Sequence, residues 1–260
     1  MRVGFLGAGH IAGALARGWC AAPSAAPTLM YFDVAGERAA ALARQTGGLV
    51  AETPQDLVAA SDMVVVAVRP ADVAAVLAEI GPQLDSRGLV SVAAGVKLEA
   101  LRAALPSDAH VGRLMPNIAA EFGRGVFLFV PGSLGALAQP FAEALEAIGT
   151  TIELEESLFD VGTAVSGCMP GFMALIVESF AAAGEAGGLE PAAARRLALA
   201  ACEGAASVVA ESGDPAAVMA ATATPGGMTS AGLATLRERG LEAALAAGVA
   251  SAAARAKELA

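Results

Sequence analysis

The stretch Val3-Gly4-Phe5-Leu6-Gly7-Ala8-Gly9-His10-Ile11-Ala12-Gly13 decides the fold of this chain. Its first four residues have the apolar character of a buried strand, and the last residues open a helical pattern. Gly7 permits a tight turn, Gly9 lets the backbone approach a pyrophosphate, and Ala12 stands where helix and strand must pack closely. The free N–H groups of the helix start would face the phosphates. The stretch therefore predicts a strand, a phosphate-binding turn and a helix.

A second strand pattern, Leu29-Met30-Tyr31-Phe32, ends in Asp33 about 20 residues after the turn. A carboxylate there accepts hydrogen bonds from a ribose 2′-hydroxyl and repels a 2′-phosphate, which favours NADH over NADPH. Arg38 is nearby and could serve a phosphate, but its helical stretch indicates a solvent-facing side chain. These features predict a Rossmann-type domain that binds a dinucleotide. The alternative is a similar domain that binds another nucleotide or none.

Short apolar runs alternate with helical stretches from Arg2 to about Leu154, which predicts an α/β fold with a doubly wound parallel sheet. The predicted strands cover residues 3–6, 29–33, 63–68, 89–93, 109–115, 126–130 and 150–154. The predicted helices between them cover residues 11–21, 37–45, 71–80 and 134–147.

Strand patterns stop after about Glu156, and five helices are predicted over residues 172–186, 192–211, 215–220, 230–239 and 241–259. We therefore expect two domains, a dinucleotide-binding Rossmann domain over residues 1–155 and an all-α domain over residues 156–260. The second domain is rich in alanine and poor in aromatic residues, so it has little apolar bulk for a core of its own. We predict dimerisation through interleaved helices, as a homodimer or a higher assembly of dimers. A self-contained helical subdomain is the alternative.

Composition excludes several classes of protein. Hydrophobic residues make up 56% of the chain and mean hydropathy is +0.61, but Gly, Pro and charges interrupt every apolar run short of a membrane span, so no membrane contact is expected. A net charge of −10 with scattered Lys and Arg argues against nucleic-acid binding. Cys20, Cys168 and Cys202 form no disulfide or metal pattern, which fits a reducing cytoplasm. The first residues loosely imitate a secretory signal, but their glycines suit a nucleotide turn better.

A later string, Ala-Thr-Pro-Gly-Gly-Met-Thr-Ser-Ala-Gly-Leu over residues 223–233, precedes a helical pattern. A Pro-Gly-Gly turn that enters a helix exposes consecutive N–H groups, and Thr229 and Ser230 add hydroxyl donors. Such a turn suits a small carboxylate. The alternative is an ordinary helix N-cap, since Thr and Ser are preferred there.

This string, taken with three others, resembles the pyrroline-5-carboxylate reductase family. Ala67-Val68-Arg69-Pro70 is similar to the family's AVKP, Ser91-Val92-Ala93-Ala94-Gly95-Val96 to its SIAAGV, and Arg113-Leu114-Met115-Pro116-Asn117 to its RVMPN. The resemblance covers essentially the whole chain. It implies an oxidoreductase that transfers a hydride from NAD(P)H to the C=N bond of 1-pyrroline-5-carboxylate, giving proline.

The resemblance also implies roles for individual residues. Thr229 would be the catalytic residue, beside the ring nitrogen of a cyclic imino acid, and the backbone from Gly226 would hold the substrate carboxylate, partly from a neighbouring subunit. No metal is implied. The predicted substrate-binding residues are Thr224, Gly226, Gly227, Met228, Thr229, Ser230 and Met169. The predicted cofactor-binding residues are Gly7, Gly9, His10, Ile11, Asp33, Val68, Arg69, Pro70, Ala93, Ala94, Gly95 and Asn117.

The chain departs from the family pattern near the expected substrate pocket. Met169 stands where the family has a glycine, and Met219-Ala220 replace its Lys-Asp. Two alternatives therefore stay open. One is a paralogue that reduces another cyclic imine or a small carbonyl compound, and the other is a non-catalytic dinucleotide-binding regulator. The Pro-Gly-Gly turn with Thr229 argues against the regulator.

Overall fold

The structure is a computed structural model that describes residues 1–22 and 26–258. The chain divides into two compact units. The first unit comprises Met1–Cys168 and the residues from Ser251 on, and the second comprises Met169–Ala250.

The first unit is built on one eight-stranded sheet with strand order β3-β2-β1-β4-β5-β6-β7-β8. All seven predicted strands are present, and the predicted Rossmann-type, doubly wound fold class is confirmed. The two-residue strand β3 escaped prediction because it is too short to show an alternating pattern and pairs only with Met30 and Tyr31 of β2. The strands are β1 (Arg2–Leu6), β2 (Thr28–Phe32), β3 (Leu49–Val50), β4 (Met63–Val66), β5 (Gly88–Ser91), β6 (His110–Met115), β7 (Gly125–Val130) and β8 (Gly149–Glu153).

One strand pair departs from the predicted parallel arrangement. β6 and β7 are antiparallel, with Arg113 opposite Val130 and Met115 opposite Leu128. Only residues 116–124 connect them, whereas a parallel return needs a crossover of about a dozen residues or more. The chain therefore turns back through a 3-10 helix over Ile118–Phe122 and resumes parallel pairing between β7 and β8.

Seven α-helices accompany the sheet. Three of them, α3, α5 and α7, were not predicted because six to eight residues give too few turns for a helical period to stand out. The start of α3 nevertheless has an ordinary N-cap, because the Thr53 hydroxyl accepts a hydrogen bond from the N–H of Asp56 at 3.1 Å. The helices are α1 (His10–Ala21), α2 (Gly36–Thr46), α3 (Pro54–Ala60), α4 (Val73–Ile80), α5 (Leu98–Ala103), α6 (Ala138–Glu146) and α7 (Phe159–Ser166).

The sheet is buried on both faces. On one face α1, α2 and α6 cover Phe5 and Tyr31, and on the other face α3, α4 and α5 cover Leu6 and Val64. The Phe5 and Tyr31 rings stack with centroids 5.7 Å apart, and the buried Trp19 indole donates a hydrogen bond to the Ala144 carbonyl at 2.6 Å. This two-sided burial gives the strand ends, and the turns that follow them, a rigid base.

The second unit is helical throughout its described residues, and all five predicted helices are present. Glu190 and Asp214 begin α9 and α10 by accepting hydrogen bonds from the first free N–H groups of each helix. The predicted last residue of the final helix, Leu259, lies outside the described residues. The helices are α8 (Met169–Ala186), α9 (Pro191–Ser212), α10 (Pro215–Thr222), α11 (Met228–Glu238) and α12 (Leu241–Glu258), the last of which begins in this unit.

These helices expose much apolar surface. The side chains of Leu175 and Phe180 are 69% and 56% exposed, and they border a groove of about 510 Å³. Within Glu156–Ala186, a window of 18 residues has a mean hydropathy of 1.5, so this stretch has by length and composition the character of a membrane span, contrary to the expectation from the sequence. The helix faces of this unit therefore lack a cover within the described part of the chain. The groove is lined chiefly by Phe172, Leu175, Ile176, Phe180, Leu241 and Leu245.

Candidate functional site

The first glycine turn is held between two strand ends. The N–H of Gly7 donates to the carbonyl of Phe32 at 2.8 Å, and the residue has a φ of +98°. A Cβ atom at this position would lie 2.5 Å from the carbonyl oxygen of Ala67. Only glycine fits here, because both the positive φ and the close approach of β4 exclude a side chain.

Beyond this turn the backbone is open. Gly9 is the N-cap of α1, and no other atom lies within 4 Å of where its Cβ would be. No side chain caps the helix, and its first turn contains no acidic residue. The free N–H groups and the positive end of the helix dipole can therefore receive a phosphate, as predicted from the glycine spacing. His10 is exposed and Ile11 half-buried at the same helix start.

Two backbone N–H groups hold the Asp33 carboxylate in place. Its Oδ2 accepts a hydrogen bond from the N–H of Ala8 at 2.8 Å, and its Oδ1 accepts one from the N–H of Ala35 at 2.8 Å. Each carboxylate oxygen keeps a second lone pair that can accept from a ribose hydroxyl. One side chain thus supports the glycine turn and offers acceptors beside it. Its spacing predicted the second role, and the bond to Ala8 came only from the structure.

A small pocket of about 90 Å³ extends from Gly7 and Asp33. Its walls are mostly apolar, but among the described residues they include two acidic residues, Asp33 and Glu79, and no lysine or arginine. Glu79 was not predicted as a site residue, since α4 shows no pattern that would single it out. Arg38 is exposed on α2 and does not line the pocket. The lining residues are Leu6, Gly7, Phe32, Asp33, Val34, Pro54, Val68, Val76 and Glu79.

The other predicted cofactor residues follow strands that end at the same edge. β1, β2, β4, β5 and β6 are parallel neighbours, so the segments after their carboxyl ends lie side by side. Val68, Arg69 and Pro70 follow β4, and the loop from Ala93 to Gly95 follows β5. Arg69 is exposed and pairs with Asp72 at 2.8 Å. The sheet therefore brings the predicted glycine turn, Asp33 and these loops to one edge.

Asn117 follows β6 at this edge, but its buried amide is largely engaged within the protein. Its Nδ2 donates to the carbonyl of Ser166 at 3.1 Å, and its Oδ1 accepts from the N–H of Val126 at 3.2 Å. The side chain thus joins the end of β6 to β7 and to the end of α7. Its predicted contact with a nicotinamide stays a prediction.

The Pro-Gly-Gly string forms a turn at the start of α11 in the second unit. Gly226 has a φ of +73°, and the N–H of Gly227 donates to the carbonyl of Thr224 at 2.9 Å. Gly227 is itself the N-cap, without a side-chain cap, so the alternative that Thr229 or Ser230 caps the helix is wrong. Both hydroxyls lie within the first turn, after Met228, and neither has a hydrogen-bond partner among the described residues.

Two other residues of the second unit lie at its surface. Met169 begins α8 and is 43% exposed, and Glu178 on the same helix forms a surface ion pair with Arg195 of α9 at 3.3 Å.

Comparison with known proteins places these features in a family. Residues 156–259 match the family model for pyrroline-5-carboxylate reductase dimerisation, and residues 2–95 match the model described as NADP oxidoreductase, coenzyme F420-dependent. The chain is 33% identical to pyrroline-5-carboxylate reductase of Methanosarcina acetivorans, over 99% of this chain and 97% of that protein. It is 31% identical to the Escherichia coli enzyme, over 94% and 93%.

A solved structure extends the similarity to the fold. The Plasmodium falciparum pyrroline carboxylate reductase with NADP bound superposes with a TM-score of 0.87 at 26% identity, over 100% of this chain and 98% of that chain. The resemblance seen in the ordered sequence motifs is confirmed. The chain belongs to the pyrroline-5-carboxylate reductase family.

Proposed function

We propose that this protein reduces the C=N bond of 1-pyrroline-5-carboxylate to give proline, with NAD(P)H as the reductant. The observation that carries the proposal is similarity over nearly the full length to named pyrroline-5-carboxylate reductases of an archaeon and a bacterium. The glycine turn, the uncapped start of α1 and Asp33 form the dinucleotide-binding edge that such a reaction requires.

The residues at this edge bind and orient the cofactor. Gly9 and the start of α1 hold the pyrophosphate, Asp33 accepts from the adenosine ribose, and the loop from Ala93 to Gly95 borders the nicotinamide together with Asn117. When bound, the reduced nicotinamide supplies the hydride for the imine carbon. The protein binds and orients the cofactor and the substrate and excludes water from them.

Residues 156–260 form the substrate-binding and dimerisation domain in this proposal. The N–H groups of Met228, Thr229 and Ser230 in the first turn of α11 hold the substrate carboxylate, and the Thr229 hydroxyl donates to the ring nitrogen. The nitrogen would gain its proton from solvent, either directly or through the Thr229 hydroxyl, which solvent then reprotonates. The uncapped helix start with two free hydroxyls supports this assignment.

The exposed helix faces of the second unit are covered by a second copy of the chain, in a cytoplasmic homodimer or an assembly of dimers. Two observations support this occupant, the groove beside Leu175 and Phe180 and the match of residues 156–259 to a dimerisation model. The apolar stretch Glu156–Ala186 lies within the matched region, so a partner helix accounts for its hydropathy without a membrane.

We propose NADH as the preferred cofactor. The pocket beside Gly7 is lined by Asp33 and Glu79 and, in the part of the chain that the structure describes, by no cationic residue, which disfavours a 2′-phosphate. The opposite preference is represented among relatives, since the Plasmodium structure has NADP bound.

Substitution of Asp33 tests this preference. Asp33→Ala should lower the ratio of kcat/KM for NADH to that for NADPH by about tenfold, because one pocket carboxylate is removed. Overall activity should also fall, because the N–H of Ala8 loses its acceptor. Glu146→Ala, which removes an equal charge from the exposed face of α6, is the matched control. An unchanged ratio in Asp33→Ala would remove the carboxylate from the cofactor site.

The activity itself is tested by following NADH and NADPH oxidation separately with pyrroline-5-carboxylate and with a six-membered cyclic imine. Turnover of the five-membered substrate supports the proposal. Preference for the larger ring would indicate a diverged imine reductase, for which exposed Met169 at the start of α8 gives a reason. Tight cofactor binding without turnover of any imine would indicate the regulator.

A further inference from the structure

The buried guanidinium of Arg113 has no role in the proposed reaction. Arg113 lies on β6, and its side chain is only 2% exposed. Its Nη1 lies 2.6 Å from Oε1 of Glu156, and its guanidinium carbon lies 4.3 Å from the centre of the Phe159 ring. Its Nη2 is buried without a hydrogen-bond partner in the described part of the chain. Removing the partner of a charge buried in this way strongly destabilises a protein.

The carboxylate that pairs with this arginine has a second bond. Oε1 of Glu156 also accepts a hydrogen bond from the N–H of Leu98 at 2.6 Å. Leu98 is the first residue of α5, immediately after the loop that leaves β5. One oxygen atom therefore joins β6, the end of that loop and the segment that follows β8.

Both elements joined by Glu156 continue into the candidate site. The loop before Leu98 contains Ala93 and Gly95, and β6 ends just before Asn117. Asn117 in turn donates to the carbonyl of Ser166 at the end of α7, whose first residue is Phe159. Both segments proposed to border the nicotinamide are thus held by bonds that meet at Glu156 or at α7.

We propose that Glu156 is a positioning residue for hydride transfer. Its carboxylate holds the loop from Ala93 to Gly95 against the end of β6, so that the nicotinamide lies at the distance and angle the imine carbon requires. Glu156 acts through Leu98 and Arg113 and touches neither substrate nor cofactor. The inference rests on the proposed function, because it assigns the nicotinamide to these two segments. A displacement of about 1 Å at a reacting atom can cost up to about a hundredfold in rate.

Two variants test the role directly. Glu156→Gln keeps an acceptor for Leu98 but removes the charge, whereas Glu156→Ala removes both. We expect kcat to fall by about threefold in the first and about tenfold or more in the second. The Kd for NADH should change less than kcat, because the phosphates and adenosine bind at Gly9 and Asp33. The matched control is Glu121→Gln, which removes another Arg–Glu pair, to Arg17 at 2.7 Å, and should leave kcat unchanged.

Loss of stability is separated from loss of position by a double variant. Glu156→Ala leaves a buried arginine without its ion partner and can unfold the chain. Arg113→Met combined with Glu156→Leu removes both charges and should fold, but it also lacks the bond to Leu98, so kcat should stay low. Full recovery of kcat in this folded double variant would overturn the proposal.

A second readout does not require turnover. The fluorescence of bound NADH reports the surroundings of its nicotinamide, and we expect it to change in Glu156→Ala and in the double variant but not in Glu121→Gln. If the wild-type protein binds NADH and reduces no imine, the proposed function fails while this measurement still tests the positioning. Unchanged fluorescence and kcat in folded Glu156 variants would show that the pair serves stability alone.

Discussion

Side chains at the candidate site differ in how many of their hydrogen-bonding groups already have partners within the protein. Asp33 accepts from two backbone N–H groups and keeps further lone pairs, so it supports the glycine turn and can also accept from a ribose, as we propose. The Asn117 amide is bonded within the protein on both sides. Thr229 lies in the first turn of α11, and its hydroxyl has no hydrogen-bond partner among the described residues. Each residue therefore calls for a different measurement.

Thr229→Ala should lower kcat by about tenfold or more while the Kd for NADH changes by less than about twofold, because the hydroxyl contacts only the substrate in our proposal. Steady-state kinetics and titration of NADH fluorescence measure the two quantities. Thr235→Ala, further along α11, is the control for helix stability. Equal losses of turnover and cofactor affinity in Thr229→Ala would exclude the residue from the substrate site.

Tyr31 is the only tyrosine in the chain, so the titration of its phenol can be followed without a signal from any other tyrosine. Burial raises the pKa of Tyr31 from 10.0 to about 12. Stabilisation from the neutral phenol is therefore complete below about pH 10 and is lost as pH rises toward 12. Ultraviolet absorbance of the phenolate should give a midpoint near 12 in the folded protein and near 10 in urea. A folded-state midpoint near 10 would contradict the burial of this ring against Phe5.

At the scale of elements, α1 packs closely against the 3-10 helix Ile118–Phe122. A methyl group on Gly18 would overlap the carbonyl oxygen of Ala120, so the approach of these two elements depends on a residue without a side chain. This contact connects the helix that opens the dinucleotide site to the segment after Asn117.

Gly18→Ala should therefore lower the free energy of unfolding by about 2 kcal/mol or more, because the backbone at Ala120 has to shift. Gly36→Ala is the matched control, since no atom lies within 4 Å of a Cβ at the start of α2. That change should raise stability slightly, by about 0.5 kcal/mol, through a smaller loss of backbone entropy. Urea unfolding followed by the fluorescence of Trp19, the only tryptophan, measures both. Equal effects of the two substitutions would rule out close packing at Gly18.

At the scale of the molecule, the two units differ in how they bury apolar surface. The first unit covers both faces of its sheet with its own helices. The second unit buries few residues, such as Ala181 and Ala194, and exposes larger ones along α8. In the arrangement proposed above, a second copy of the chain completes the helical core.

Leu175→Glu should convert the assembly to monomers, because it places a charge on the most exposed large residue of the groove, where a partner would have to bury it. Sedimentation velocity measures the mass. Leu49→Glu, at another exposed leucine on the edge strand β3, should leave the assembly intact. A wild-type protein that is monomeric and binds phospholipid vesicles would show instead that lipid covers this face.

The sequence alone determined the parts of the protein that depend on local rules. Strand and helix periods located seven strands and the longer helices, and glycine spacing located the dinucleotide turn at Gly7, because these signals lie within a few residues of one another. Short elements such as β3 and α5 were missed, since they are stable only through contacts with distant parts of the chain.

The tertiary structure decided what depends on residues far apart in sequence. It showed that β7 runs antiparallel, that Asp33 supports Ala8 across 25 positions, and that Arg113 is buried against Glu156 across 43. Neither carboxylate could be assigned its partner beforehand, because long-range pairing is set by how the sheet and helices pack together and not by any local pattern. Only folding brings the buried Arg113 guanidinium beside the Glu156 carboxylate that neutralises it.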